Sequence, residues 1–121
     1  IQNLLQTAQT NATSNVLCNN TAGATWTVEL AAQSSDIKLI CSTNTQKTVQ
    51  LDQIQVFAIN AGTCSFLLQV KFNPLDGKIS FTDGTSNCAS TDITPHITLR
   101  DDGTNAEKTV IINKGGVVNV Q

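Results

Sequence analysis

Four side chains in this 121-residue chain carry chemistry that depends on where the fold places them: Cys18, Cys41, Cys64 and Cys88. They are spaced by 23, 23 and 24 residues. A zinc or thiol-redox site is built from close pairs such as CxxC, and none exists here. An even number of widely spaced cysteines, in a chain with no Met and only 13% charged residues, predicts two disulfides and therefore an oxidising compartment. Four free, buried thiols are the alternative.

The other reactive side chains are sparse. His96 is the one histidine. A catalytic histidine needs a nucleophile or a carboxylate within reach, and the residues around it name neither. GxSxG elbows, HExxH helices and phosphate-cradling glycine loops are missing from the sequence. Asp76, Asp83, Asp101 and Asp102 lie in or beside turns. DDGTN, from Asp101, lacks the liganding alternation and terminal Glu of an acidic calcium loop, so these carboxylates are expected to hydrogen-bond backbone amides. NAT from Asn11 and NNT from Asn19 fit a glycosylation sequon, a pattern with meaning only in a eukaryotic secretory context. Trp26 is the single tryptophan. Its place at the start of a strand, after a small-residue turn, predicts a core residue; the alternative is an exposed stacking residue for a ligand. No metal, cofactor or catalytic residue is expected.

The linear sequence supplies no nucleic-acid footprint, which leaves only a basic patch assembled in three dimensions. Lys38, Lys47, Lys71, Lys78, Arg100, Lys108 and Lys114 are scattered, and the net charge is −2. A nucleic-acid footprint requires clustered cations that displace counterions from phosphates. Asn, Gln, Thr and Ser replace the missing charges, which gives the neutral hydrogen-bonding surface common in exported and surface-assembled proteins. No apolar run approaches the roughly 18 residues that span a bilayer. The chain begins in what reads as mid-helix, so a preceding targeting or anchoring segment is expected.

Positioning elements follow from periodicity. Ile1, Leu4, Leu5, Ala8, Ala12 and Val16 recur at spacings of three and four, a helical stripe opposed by Gln, Asn and Thr. The helix is expected over 1–17, with a β-rich head over 24–121 in one domain. WTVEL and IKLIC are strand candidates around the turn AAQSSD. In VQLDQIQVFAI, Val49, Leu51, Ile54 and Val56, with Phe57 and Ile59 on the opposite parity, read as one long strand with a parity slip or bulge. FLLQVKF and KISF flank NPLDG, which predicts a hairpin pairing Phe72 with Ile79 and Val70 with Phe81. That register brings Cys64 to Cys88, and elimination leaves Cys18 with Cys41. HITLR and TVIIN form a second hairpin around DDGTNAEK, and VVNV follows the turn KGG. The predicted class is α+β, an N-terminal amphipathic helix packed on antiparallel sheet of about six to eight strands.

The order of these parts resembles the soluble domain of minor pilins and pseudopilins, the GspH/FimT group of type IV pili and type II secretion systems. The residues that carry the resemblance are Val16, Leu17 and Cys18 at the helix exit, Trp26 after it, the stretch VKFNPLDGKISF, and the ending ITLRDDGTNAEKTVIINKGGVVNV. The resemblance implies that 1–17 is the amphipathic second half of a pilin helix, preceded by a leader and an apolar half-helix that anchors the precursor in the inner membrane. It also implies a non-enzymatic subunit of a surface filament, whose partners are other pilin or pseudopilin subunits contacted through the helix. Support for adhesion, secretion or DNA uptake would follow, with Lys108 and Lys114 as candidate contacts for DNA or another partner. DNA-binding members carry arginines in the last hairpin, whereas Lys114–Asn119 holds one Lys and no Arg. The reading from another class is an extracellular β-rich ligand-binding or adhesin domain unrelated to pilins, which an exposed Trp26 beside a groove would favour.

The disulfide inference has a direct test. Intact mass after alkylation of the unfolded protein is expected to gain four blocked thiols only when reductant is added. Four thiols reactive without reductant would overturn both bonds and the compartment.

Overall fold

The computed structural model describes residues 2–18, 20–88, 94–113, 115 and 118–120. One helix, α1 (Gln2–Thr13), precedes nine short strands: β1 (Trp26–Ala31), β2 (Asp36–Cys41), β3 (Asn44–Gln50), β4 (Ile54–Asn60), β5 (Leu67–Phe72), β6 (Ile79–Thr82), β7 (His96–Asp101), β8 (Glu107–Ile112) and β9 (Val118–Val120). They form a five-stranded sheet in the order β3-β2-β1-β5-β6 and a four-stranded sheet in the order β4-β7-β8-β9. Every strand pair is antiparallel. The α+β class is as expected. The strand number exceeds six to eight because VQLDQIQVFAI is not one strand. It breaks at Leu51–Gln53, where Gln53 takes φ 57° and the Leu51 amide donates to the Ser35 carbonyl.

The period-two alternation of β1 decides which face of the larger sheet is buried. Trp26, Val28 and Leu30 lie opposite Cys41, Leu39 and Ile37 of β2 and opposite Phe72, Val70 and Leu68 of β5. All nine are buried. Phe72 and Val70 in turn face Ile79 and Phe81 of β6, the hairpin register read from the sequence. Across β1 and β5 lies α1, which buries Leu4, Leu5, Ala8 and Ala12. Alanine at two of these four places lets the helix axis approach the sheet closely while the leucines fill its outer end. The smaller sheet adds Val56, Ile59, Ile97, Val110 and Ile112 to the same continuous core.

A bulge in β4 reconciles its awkward spacing. Val56 pairs with Leu99 and Ala58 with Thr98, so Phe57 is the extra residue. Val56 and Ile59, three apart, thereby point to the same side, as a bulge allows. The two sheets are stitched where the Gln33 and Val56 amides exchange hydrogen bonds with the Val56 and Ser34 carbonyls, at 2.5 and 2.8 Å.

The helix ends before its apolar stripe does. Asn15 adopts φ 53°, the Val16 amide reaches back to the Asn11 carbonyl at 2.9 Å, and the Asn15 amide to that of Ala12 at 3.3 Å. This is a Schellman termination with Asn in the left-handed position. Val16 therefore lies outside the helix and is 39% exposed, which corrects its expected place in the packing stripe and the expected end at 17. Ile1 lies outside the described residues. Beyond the helix exit, Cys18 and Thr21 form an isolated bridge.

The β5–β6 loop is docked on this helix end. The Leu75 amide donates to the Ala12 carbonyl at 2.9 Å, and Gly77 sits at φ 66° where an added Cβ would lie 2.5 Å from the Thr13 methyl. Gly77→Ala is expected to cost about 1–3 kcal/mol, combining the left-handed backbone with the steric conflict. Urea unfolding would read this as a lowered midpoint at constant m-value. An unchanged midpoint would mean that the loop does not approach the helix this closely.

Candidate functional site

The disulfides join Cys18 to Cys41 and Cys64 to Cys88, and the described residues include no free cysteine. The first ties the helix exit to the end of β2. The second closes the span holding β5 and β6, next to the Ala61–Cys64 bridge around Gly62. Each loop, of 23 or 24 residues, is long enough for its closure to stabilise the fold by about 3 kcal/mol. Two such bonds indicate an oxidising compartment, extracellular or periplasmic.

The reactive residues do not converge. His96 is exposed at the start of β7, and its Nδ1 lies 2.7 Å from the Thr94 carbonyl. Its cross-strand neighbours are Asn60 and Ile111. The turn carboxylates serve the backbone, as expected. Asp101 accepts from the Gly103 and Thr104 amides, and Asp76 from that of Lys78. Asp83 is held most firmly, by the Ser86 amide at 2.8 Å, the Thr85 amide at 2.9 Å and the Thr85 hydroxyl at 3.0 Å. Among the described residues no group of three or more His, Cys, Asp or Glu is arranged to hold a metal ion.

The cations are likewise apart. Arg100 pairs with Glu107 across β7 and β8 and stacks on Phe57, 3.3 Å from the ring centroid. Lys38 lies 4.0 Å from Glu29. Lys47 is on the outer strand β3, Lys78 on the β5–β6 loop, and Lys108 is exposed on β8 opposite Leu99. Lys114 falls outside the described residues.

Trp26 is buried, 5% exposed, in the row between Cys41 and Phe72. Stacking on a bound ligand by this ring is therefore ruled out. Its indole Nε1 is enclosed without an acceptor among the described residues, a local cost of burying the large ring.

Two polar surfaces complete the picture. On the face of the larger sheet away from the helix, Thr82, Gln69, Glu29, Lys38 and Thr48 form one cross-strand row through all five strands. Gln69 donates to Glu29 at 2.8 Å, and the Thr82 hydroxyl reaches Gln69 at 3.4 Å. On α1, the side opposite the buried stripe presents Gln6, Thr7, Thr10 and Asn11 around a shallow depression. No described helix is long and apolar enough to cross a membrane.

Sequence reasoning placed Leu4, Leu5, Ala8, Ala12 and the cysteines, but missed the Asn15 cap, the Arg100–Phe57 stack and the Glu29–Gln69 bond. Asn after Thr-Ser at the end of an amphipathic stretch was the readable signal for the first. The others depend on strand order and the bulge. Comparison with protein-family models, with curated proteins and with solved structures finds no match.

Asp83 supplies a pH prediction. Hydrogen bonds from the Ser86 amide, then the Thr85 amide and hydroxyl, lower its pKa to about 2. The folded value lies below the unfolded one, so its contribution is complete above about pH 4 and is lost as pH falls toward the folded value. An NMR titration is expected to show the Asp83 carboxyl shifting near pH 2, accompanied by the Thr85 and Ser86 amides. A midpoint in the ordinary carboxylate range would show that the loop does not hold it.

Proposed function

We propose that this chain is a structural subunit of a surface filament, a minor pilin or pseudopilin of a type IV pilus or a related secretion system, and that it acts by assembly without catalytic turnover. The observation that carries the reading is the helix laid on the sheet. One side of α1 is spent on the chain's own core through Leu4, Leu5, Ala8 and Ala12. The other side is uncharged and polar, with Gln6 and Thr10 exposed. Such a helix can be shared between a packed shaft and a head.

The head suits an extracellular load-bearing part. Both disulfides clamp segments of the head, one at the helix exit and one at the β5–β6 region. Adhesion or secretion support is assigned to the head's strand and loop surface. Direct DNA binding is not assigned, since phosphate contacts require clustered cations and Arg100 is already engaged by Glu107 and Phe57. The ligand-binding reading drew on an exposed Trp26, and that support is removed by its burial.

The test uses the full-length gene in the cells that express it. A tagged protein is expected to co-purify with filaments sheared from the cell surface, and its deletion to reduce filament number or secretion at least severalfold. Recovery wholly as a free exported protein, with filaments and secretion unaffected by deletion, would overturn the proposal in favour of a free extracellular binding domain.

A further inference from the structure

The two disulfides divide the chain along the same line as the two sheets. Cys18–Cys41 closes a ring that holds β1 and β2, and Cys64–Cys88 closes one that holds β5 and β6. Within the larger sheet the run β2-β1-β5-β6 therefore lies inside covalent rings, and only its polar outer strand β3 does not. The strands of the smaller sheet, β4, β7, β8 and β9, all lie outside both rings. A pull along the chain crosses each ring through its two sulfurs, so it cannot extend the residues enclosed.

The smaller sheet is also ordered so that it opens from one end. Its spatial order β4-β7-β8-β9 repeats the chain order, so tension applied beyond β9 always acts on the strand at the edge. β9 yields first, because it has three residues and leaves Val120 62% exposed. Its removal makes β8 the edge, and removal of β8 makes β7 the edge. Each step loads one short ladder, and the series stops at Cys88, where the second ring takes the load. Among the described residues, the backbone bonds that join the two sheets lie elsewhere, at the start of β4. They are the Gln33–Val56 and Val56–Ser34 bonds and the Leu51 amide to the Ser35 carbonyl at 2.8 Å. Peeling from β9 to β7 leaves them intact. The larger sheet meanwhile keeps its cover, α1, with Leu4, Leu5, Ala8 and Ala12 buried.

We infer that the smaller sheet is a yielding element: β7, β8 and β9 open together while α1 and the ringed sheet stay folded, and they close again on release. Regions of one domain open with separate free energies, and the least protected are those with short ladders and exposed ends. Full extension of 89–121 supplies up to roughly 110 Å of chain, whereas the two rings withhold roughly 150 Å. A surface domain of this design lengthens under load without losing its fold. The device follows from disulfide connectivity and strand order and does not rest on the filament reading; a filament would be one source of the load.

Two measurements on the isolated, oxidised domain test it. In native-state hydrogen exchange, amides of β8 and β9 are expected to exchange at least tenfold faster than those of β1 and β5. Phe81→Leu, at a buried position facing Val70 on the far strand of the larger sheet, separates the two openings. It is expected to speed exchange severalfold in β1, β2 and β5 and to leave β8 and β9 unchanged. Equal acceleration of both sheets would mean one all-or-none unit and overturn the inference. In single-molecule pulling between the two chain ends, a first reversible step of roughly 100 Å is expected at low force, followed by a second at higher force. Reductant is expected to lengthen the second step alone. A single step to the disulfide limit would overturn the inference, and so would a first step of half that length, which would place the weak point at α1.

Discussion

The row Trp26, Val28, Leu30 in the middle of the larger sheet is the constraint on which the rest of the molecule depends. A central strand with one apolar face must have paired neighbours on both edges and a cover above. Its neighbours repeat the pattern in register, Cys41, Leu39 and Ile37 on one side and Phe72, Val70 and Leu68 on the other. A one-residue slip of either would turn an entire apolar set to water. The cover is α1, and its small residues Ala8 and Ala12 bring it close. The NPLDG loop is shaped by the same requirement, since it must clear the helix end at Thr13 and uses Gly77 to do so.

Once that face is sealed, the remaining hazard is the sheet edges. Antiparallel sheets that do not close expose unpaired amides and carbonyls, which invite edge-to-edge association. Here the outer strands are short or polar. β9 and β6 are three and four residues long, and β4 is partly covered by the Ser34 bridge to Val56. β3, seven residues long like β4, carries Lys47 and almost no apolar surface. Symmetric pairing about its centre would set lysine against lysine.

Most of this architecture was legible in the sequence, because most of it follows from alternation. The β5–β6 register, the β4 bulge and the helix stripe through Ala12 all rest on apolar spacing. The features that escaped have no apolar signal. β3 has no buried face, so NTQKT carries no alternation to read, and only its hydrogen bonds to β2 make it a strand. The helix end escaped for the opposite reason. Val16 continues the stripe, but the backbone reverses at Asn15, whose side chain also accepts from the Gly23 amide at 2.7 Å. Termination was decided by one polar residue against the hydrophobic pattern. The Arg100–Phe57 stack required two events together, the bulge that turns Phe57 outward and the strand order that puts β7 beside β4.

The consequence of that early termination reaches beyond the helix. Had α1 continued to 17, Val16 would have joined Leu4, Leu5, Ala8 and Ala12 against the sheet, and Leu17 would have been carried to another side. The Schellman turn instead releases both residues beside the β5–β6 loop, where Leu75 already projects. One backbone reversal at Asn15 therefore does two things: it closes the core with four helix residues in place of five, and it moves surplus apolar surface to a corner. Natural surfaces tolerate single exposed leucines without consequence. The same constraint that satisfies the core thus determines where its surplus apolar surface lies.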